Sequence, residues 1–487
     1  MATKQSLQQV ERWGQFEVVL KGPVDGNPFR DVELSAVFQY KNLTLEPDGF
    51  YDGNGIYRIR FSPDREGIWR YVTRSNCPEL DGHAGEFVCV APGPGNHGPV
   101  RVYDTYHFRY ADGTPYRPFG TTLYHWTHHG DEEAEERTLR TLEQSPFNKV
   151  RMCVLPTREF TELPLVAFAG TTPDDLDKTR FNPAFFSHFE RRIADLMKRG
   201  IEADIILFHP YDKGFWGVDN MTPEEDMFYL NYVIARLASF RNVWWSLSNE
   251  YDFNKFKTVE DWDRLIQFVQ QRDPYQRLRS IHNGTKMYES SNLYDFTKPW
   301  ITHQSIQHWD AKLTPLWRKQ CKKPVVIDEM SYEGNSSRRW GNITGEELVS
   351  RYWEAITEGA YAAHGETFNQ YPTRPWISGG GVLYGDSPAR IAFLRRIMEE
   401  GPLDLVEARE RGEYFLLYFG KRQSSHRVVE LPEHSDYKVE LIDTWNMTIT
   451  PLEGTYRGKC RIDLEGKPYM ALLAVRISAD GTKGGAS

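Results

Sequence analysis

Asn242-Val243-Trp244-Trp245-Ser246-Leu247-Ser248-Asn249-Glu250 is a short apolar run that stops on an amide and a carboxylate. Lys323-Pro324-Val325-Val326-Ile327-Asp328-Glu329 repeats that design later in the chain. Each reads as a buried strand with a glutamate at its C-terminal end. Working outward, six more short apolar strands are expected at Tyr116–Tyr124, Lys149–Leu155, Ala203–Phe208, Arg279–His282, Trp300–Gln304 and Ala362–Phe368. With Val243–Ser248 and Pro324–Asp328 they make eight. Amphipathic helices alternate with them. Asn182-Pro183 supplies a cap and an N1 proline ahead of Phe185, Phe186, Phe189 and Ile193, and Thr222-Pro223-Glu224-Glu225 is a capping box. Thr344 to Glu358 and Pro388 to Glu400 behave likewise. Eight strands alternating with helices predict an α/β protein built on a (β/α)₈ TIM barrel. A doubly wound sheet is the runner-up, but no glycine-rich phosphate turn follows any of these strands.

On either side the periodicity changes to short alternating strands. Phe16–Leu20, Val32–Phe38 and Gly55–Phe61, separated by turns such as Pro47-Asp48-Gly49, predict an N-terminal β-sandwich. The stretch Ala91-Pro92-Gly93-Pro94-Gly95-Asn96-His97-Gly98 reads as a linker. After residue 405, Tyr414–Phe419, Arg427–Leu431, Lys438–Asp443 and Met470–Ile477 predict a small C-terminal β domain. The expected division is therefore 1–97, 98–404 and 405–480.

Composition narrows the function classes. The net charge of −9, with no basic block, argues against nucleic acid as a partner. The five cysteines are scattered without a CxxC pair, so neither a disulfide framework nor a zinc cluster follows. No apolar run reaches membrane-spanning length. Met1 to Ser6 lacks a signal-peptide pattern, so a cytoplasmic location is expected. Aromatic residues make up 14 % of the chain, which suits either a large core or a cleft that stacks sugar faces.

Barrel enzymes place reactive groups at the C-terminal ends of strands. Those positions hold Arg151, His209, Asn249-Glu250, His282-Asn283, His303-Gln304, Asp328-Glu329 and Glu366. Two carboxylates at opposed strand ends over a dry core suit glycosidic cleavage, which needs one protonated acid and one ionised partner. Asp328 is expected to point to the other side of its strand and to be structural.

These residues resemble clan A glycoside hydrolases, whose catalytic glutamates end strands 4 and 7, over roughly residues 100–400. More narrowly, the three-part plan resembles bacterial glycosidases that join a β-sandwich, a barrel of this clan and a small C-terminal β domain. The resemblance implies Glu250 as acid/base after Asn249, and Glu329 as nucleophile. It matches Arg151 to the clan's strand 2 arginine and His209 to its strand 3 histidine. Asn249 would bond the sugar 2-hydroxyl, and Arg151 would keep the nucleophile ionised. Two departures stand out. The residue after strand 6 that contacts the nucleophile is best matched by His303, and the strand 8 tryptophan that floors the sugar subsite is missing, with Trp376 as its replacement.

Trp126 is a further candidate subsite residue, among several loop tryptophans that include Trp309 and Trp340. His125-Trp126-Thr127-His128-His129 invites a metal reading, but the spacings of barrel metallohydrolases are absent. The expectation is a retaining glycoside hydrolase with no cofactor and no metal, taking a carbohydrate substrate, with self-association into a homo-oligomer left open. The rivals are a metal-dependent barrel hydrolase and a non-catalytic carbohydrate-binding protein.

Overall fold

The computed structural model describes residues 7–284, 293–369 and 374–477. Its centre is a parallel barrel of β1 (Phe119–Thr122), β2 (Lys149–Cys153), β3 (Glu202–Phe208), β4 (Val243–Ser248), β5 (Arg279–Ser280), β6 (Gln304–Gln307), β7 (Val325–Glu329) and β8 (Tyr361–His364). Consecutive strands pair in parallel, and β8 pairs with both β7 and β1. Between β5 and β6 the contact narrows to the His282–Ser305 bridge, so the barrel is nearly closed with a thin seam there.

Helices cover the outside, and their starts follow the local chemistry read from the sequence. Asn182 accepts from the amides of Ala184 and Phe185 at the head of the helix Pro183–Lys198. Thr222 and Glu225 form a reciprocal capping box at the head of Pro223–Leu237. Along β2 the side chains alternate. Val150 and Met152 join the apolar cluster under the helices, whereas Lys149 and Arg151 form buried ion pairs with Asp204 and Asp328. The interior of this barrel is therefore charged.

That polar interior explains why β6 is displaced from its expected position. Trp300 and Ile301 drew the sequence reading to Trp300–Gln304, but the strand is Gln304–Gln307. Its Ser305 bonds Asp328 inside the barrel, so an apolar run was the wrong signal to follow. The shift moves His303 to the N-terminal end of the strand and Gln307 to the mouth.

A second departure lies on β7. Ile306 of β6 is opposite Ile327, but Gln307 is opposite Glu329, so β7 carries one extra residue at Asp328. Such a bulge turns the following side chain. Asp328 does not point away from the barrel, as strict alternation predicts. It bonds Lys149 Nζ at 2.8 Å inside the barrel, directly beneath Glu329.

Below the barrel, the antiparallel strands Val100–Tyr103, His107–Tyr110 and Pro115–Tyr116 close the N-terminal end. Phe108 and Tyr116 pack there on Trp244. The N-terminal strands form a five-stranded and a three-stranded sheet, enclosing Phe16, Phe38, Phe61, Trp69 and Phe87. Fully buried Arg236 ties this lobe to the barrel, bonding Asp52 at 2.8 Å and also Glu190. At the C-terminal end, a four-stranded antiparallel sheet and the ladder His426–Glu430 with Lys459–Asp463 share a core around Tyr437, Val439 and Leu472. No helix among the described residues is long and apolar enough to cross a membrane.

Candidate active site

Glu250 follows β4 in the left-handed region, at φ 43°, a conformation uncommon outside glycine. Gly284, after β5, makes room for it: a Cβ there would lie 2.5 Å from both Cβ and Cγ of Glu250. The backbone is thus bent to aim this carboxylate into the mouth, and Gly284 is small because the glutamate passes over it.

Glu329 ends β7 and is 4 % exposed. Its Oε1 accepts from the Tyr124 hydroxyl, from Arg151 Nη1 at 3.3 Å and from Asn249 Nδ2 at 3.4 Å. Its Oε2 accepts from Gln307 Nε2 at 2.6 Å, and the same nitrogen donates to Glu250 Oε1 at 3.0 Å. One amide therefore bridges the two carboxylates. Laid end to end, its two bonds fall short of the ~6.5 Å at which the inverting range begins.

The environments push the two carboxylates apart. Burial raises the pKa of Glu250, repulsion from Glu329 raises it further, and bonds from Gln307 and Tyr211 only partly offset this. Burial would raise Glu329 as well, but hydrogen bonds and positive charge from His282 and Arg151, with the Tyr124 hydroxyl, outweigh it and hold its pKa below the usual carboxylate range.

The histidine contribution is conditional. Ser305 Oγ donates to Asp328 Oδ2 at 2.6 Å, so toward His282 it can only accept, which places a proton on His282 Nδ1. Its Nε2, 3.5 Å from Glu329 Oε1, then donates only when the ring is charged. Burial and Arg151 hold the His282 pKa down, so Arg151 supplies the permanent charge.

Below the pair, Arg151 Nη2 donates to Asn249 Oδ1 at 2.6 Å, which turns the Asn249 amide nitrogen toward the hydroxyls of Tyr124 and Tyr211. The cavity above is about 540 Å³, within the range of small-molecule sites. Tyr124, Tyr211, Tyr332, Phe253 and Trp340 line it together with both glutamates.

The structure thus brings Arg151, Asn249, Glu250 and Glu329 together. It does not bring the other candidates to the carboxylates. His303 stacks edge-on against Trp244 and Phe108 at the barrel floor, because β6 starts after it. His209 donates from Nε2 to the Leu155 carbonyl at 3.0 Å and lies under the Tyr211 ring, so it supports a wall of the pocket. Trp126 is fully buried in the core. Trp376 is also buried and bonds Thr121 Oγ1 at 2.8 Å. It anchors the loop whose Ile377 and Ser378 reach the cavity and provides no sugar floor.

Sequence reasoning missed Tyr124, Gln307 and Tyr332, and it named His282 at a strand end without giving it a role. Tyr124 ends the expected first strand and Gln307 ends the true sixth, so strand-end position was the available signal for both. Tyr332 lies three residues beyond Glu329 and carried none.

Among metal-capable groups, His125, Cys153 and His209 have ligand atoms within 4.8 Å of one another. Both His209 nitrogens are already engaged, Nε2 by Leu155 and Nδ1 by the Tyr211 amide.

A nearly closed eight-stranded barrel with two converging glutamates at its C-terminal mouth has the form of a glycoside hydrolase, and the relatives agree. The family model described as "Apiosidase-like, catalytic domain" matches residues 103–380, and the chain belongs to that family. Two domains of unknown function flank it, DUF5060 over residues 9–76 and DUF5605 over 403–478. A crystal structure from Bacteroides vulgatus ATCC 8482, named a "putative glycoside hydrolase", is 38 % identical with a TM-score of 0.89, covering 96 % of this chain and all of that one. A glycoside hydrolase family 5 structure from the same organism shares the fold at 13 % identity and a TM-score of 0.58, covering 79 % of this chain and 94 % of the other. No curated protein sequence matches. The chain is a glycoside hydrolase acting on carbohydrate.

Proposed function

We propose that this hydrolase retains anomeric configuration, with Glu329 as nucleophile and Glu250 as acid/base. The observation that carries the reading is the Gln307 amide nitrogen bonded to both carboxylates, at 3.0 and 2.6 Å. A bridge that short keeps the two bonded oxygens inside the inverting separation, which supports the ~5–5.5 Å spacing of double displacement, with no room for a water between nucleophile and sugar. In the first step Glu329 forms an ester bond to the anomeric carbon as the glycosidic bond breaks, and the Glu250 proton passes to the leaving oxygen. In the second, Glu250 takes a proton from water, the water oxygen bonds the anomeric carbon, and the ester bond to Glu329 breaks. In this reading Asn249, buried behind the Tyr124 and Tyr211 hydroxyls that line the cavity, is the donor that meets the sugar 2-hydroxyl.

The family description puts apiosides first among candidate substrates, so the screen is a panel of aryl glycosides that includes aryl apiofuranosides. Glu250→Ala assayed with azide on the active substrate tests the roles. Rescue that yields a glycosyl azide of retained configuration is expected. An azide product of inverted configuration, or no rescue at all, overturns the assignment.

A further inference from the structure

Beside the pocket, the segments after β7 and β8 form a short parallel ladder, Glu333–Gly334 with Glu366–Thr367, in which Glu333 is opposite Glu366. The two carboxylates are 4 % and 0 % exposed. Four consecutive amides grip them: Tyr384 and Gly385 donate to Glu366 at 2.8 and 3.0 Å, and Asp386 and Ser387 to Glu333 at 2.8 and 3.1 Å. Each oxygen thereby uses one of its two lone pairs. Buried Asp328 has Lys149 within 2.8 Å and Arg151 beside it, but among the described residues no lysine or arginine forms an ion pair with Glu333 or Glu366. Two carboxylates side by side in a dry interior need an opposite charge, because desolvation makes the bare pair costly.

The third group is an imidazole. His364 ends β8, is fully buried, and its Nε2 has no hydrogen-bond partner. That atom lies 3.6 Å from Glu366 Oε1, and one ligand atom from each of Glu333, His364 and Glu366 falls within 4.8 Å of the others. His364 Nδ1 lies 3.1 Å from Thr121 Oγ1, whose two lone pairs can take both that N–H and the Trp376 indole N–H. In that arrangement Nε2 is bare and aimed at the carboxylates.

We propose that Glu333, His364 and Glu366 hold a divalent cation of the kind that accepts one imidazole and two carboxylates, Zn²⁺ being the type. The ion would neutralise the pair and complete the histidine. It would also tie the segment after Tyr332 to β8 and to the turn that starts the helix Ser387–Glu400. Its role is structural, and no step of hydrolysis passes through it. The His125, Cys153 and His209 group is the weaker candidate, because the chain already satisfies His209.

The test uses the full chain, stripped with a chelator and titrated with Zn²⁺, and binding is read by calorimetry, bound-metal analysis and thermal melting. One equivalent is expected to bind and to raise Tm. His364→Gln is expected to weaken binding at least tenfold, whereas His209→Gln leaves it unchanged. X-ray absorption of the bound metal is expected to show nitrogen and oxygen neighbours with no sulfur. A stripped chain that takes up neither Zn²⁺ nor Mn²⁺ overturns the proposal, as does sulfur in the coordination shell or uptake that survives His364→Gln. If His364→Gln does not fold, the wild-type titration and the absorption spectrum decide alone. None of these readouts is hydrolysis, so failure here leaves the catalytic roles of Glu250 and Glu329 untouched.

Discussion

Glu250 and Glu329 share one bridging amide and one cavity, yet their surroundings differ in kind. Glu329 is held by a full set of donors, the Tyr124 hydroxyl, Arg151, Asn249 and Gln307, with a permanent positive charge beneath it. Glu250 has the Gln307 nitrogen and the Tyr211 hydroxyl, no arginine partner among the described residues, and a second carboxylate for a neighbour. The residue type is the same and burial raises both, so the number of donors and the sign of the nearest charge decide which one keeps its proton. In the proposed retaining mechanism, the asymmetry between acid and nucleophile lies in their surroundings and not in the sequence.

The strongest attempt to break this comparison is Glu329→Gln. It removes the better-stabilised carboxylate and should lower kcat by about 10⁴-fold or more with little change in folding. Steady-state kinetics beside a circular dichroism spectrum check it, and a loss under tenfold would mean that Glu329 is not the nucleophile.

Next is Gly284→Ala. Its Cβ would collide with Glu250 Cβ and Cγ, so the acid must swing out of place. A loss of kcat of about 10²-fold is expected, within the range of general acid catalysis, with Glu329 chemistry on activated leaving groups largely spared. Equal loss on good and poor leaving groups would show that the collision is not felt at the acid.

Gln307→Met removes the bridge. A hydrogen bond to a charged group is worth about 1.5–3 kcal/mol, so a loss of roughly tenfold or more in kcat/KM is expected. Because Gln307 lowers the Glu250 pKa, the alkaline limb of the rate profile should also move to higher pH. A limb that stays fixed would deny the bridge its electrostatic role.

The gentlest test is the wild-type pH profile. Glu329 must be ionised and its pKa is depressed, so activity persists well into acid and is lost only as pH falls through that lowered value. Glu250 must be protonated and its pKa is raised, so activity holds above the ordinary carboxylate range and is lost as pH rises through the raised value. A narrow optimum near pH 4 would contradict the asymmetry.

The contrast also shows which parts of the site could be read from the chain. Glu250 and Glu329 were legible because each interrupts a strongly apolar strand, and a carboxylate there has only the barrel mouth to enter. Trp126 and Trp376 were misread because a loop tryptophan in a sequence looks the same whether it faces the cleft or the core. Gln307 was lost with its strand. The apolar signal at Trp300-Ile301 belongs to the segment before β6, whereas β6 itself alternates: Ser305 and Gln307 bond carboxylates in the interior and at the mouth, and Gln304 bonds the Cys321 and Lys323 carbonyls outside.

By itself, the sequence determined the barrel, its flanking β regions and the two strand-end glutamates, because strand and helix periodicity and capping are local properties of neighbouring residues. Only the tertiary structure decided the bulge at Asp328, the left-handed turn at Glu250, and the meeting of Tyr124, Arg151, His282 and Gln307 around one carboxylate. Those four residues come from four different strand ends, and their partnership depends on closure and register, which no stretch of neighbouring residues encodes alone.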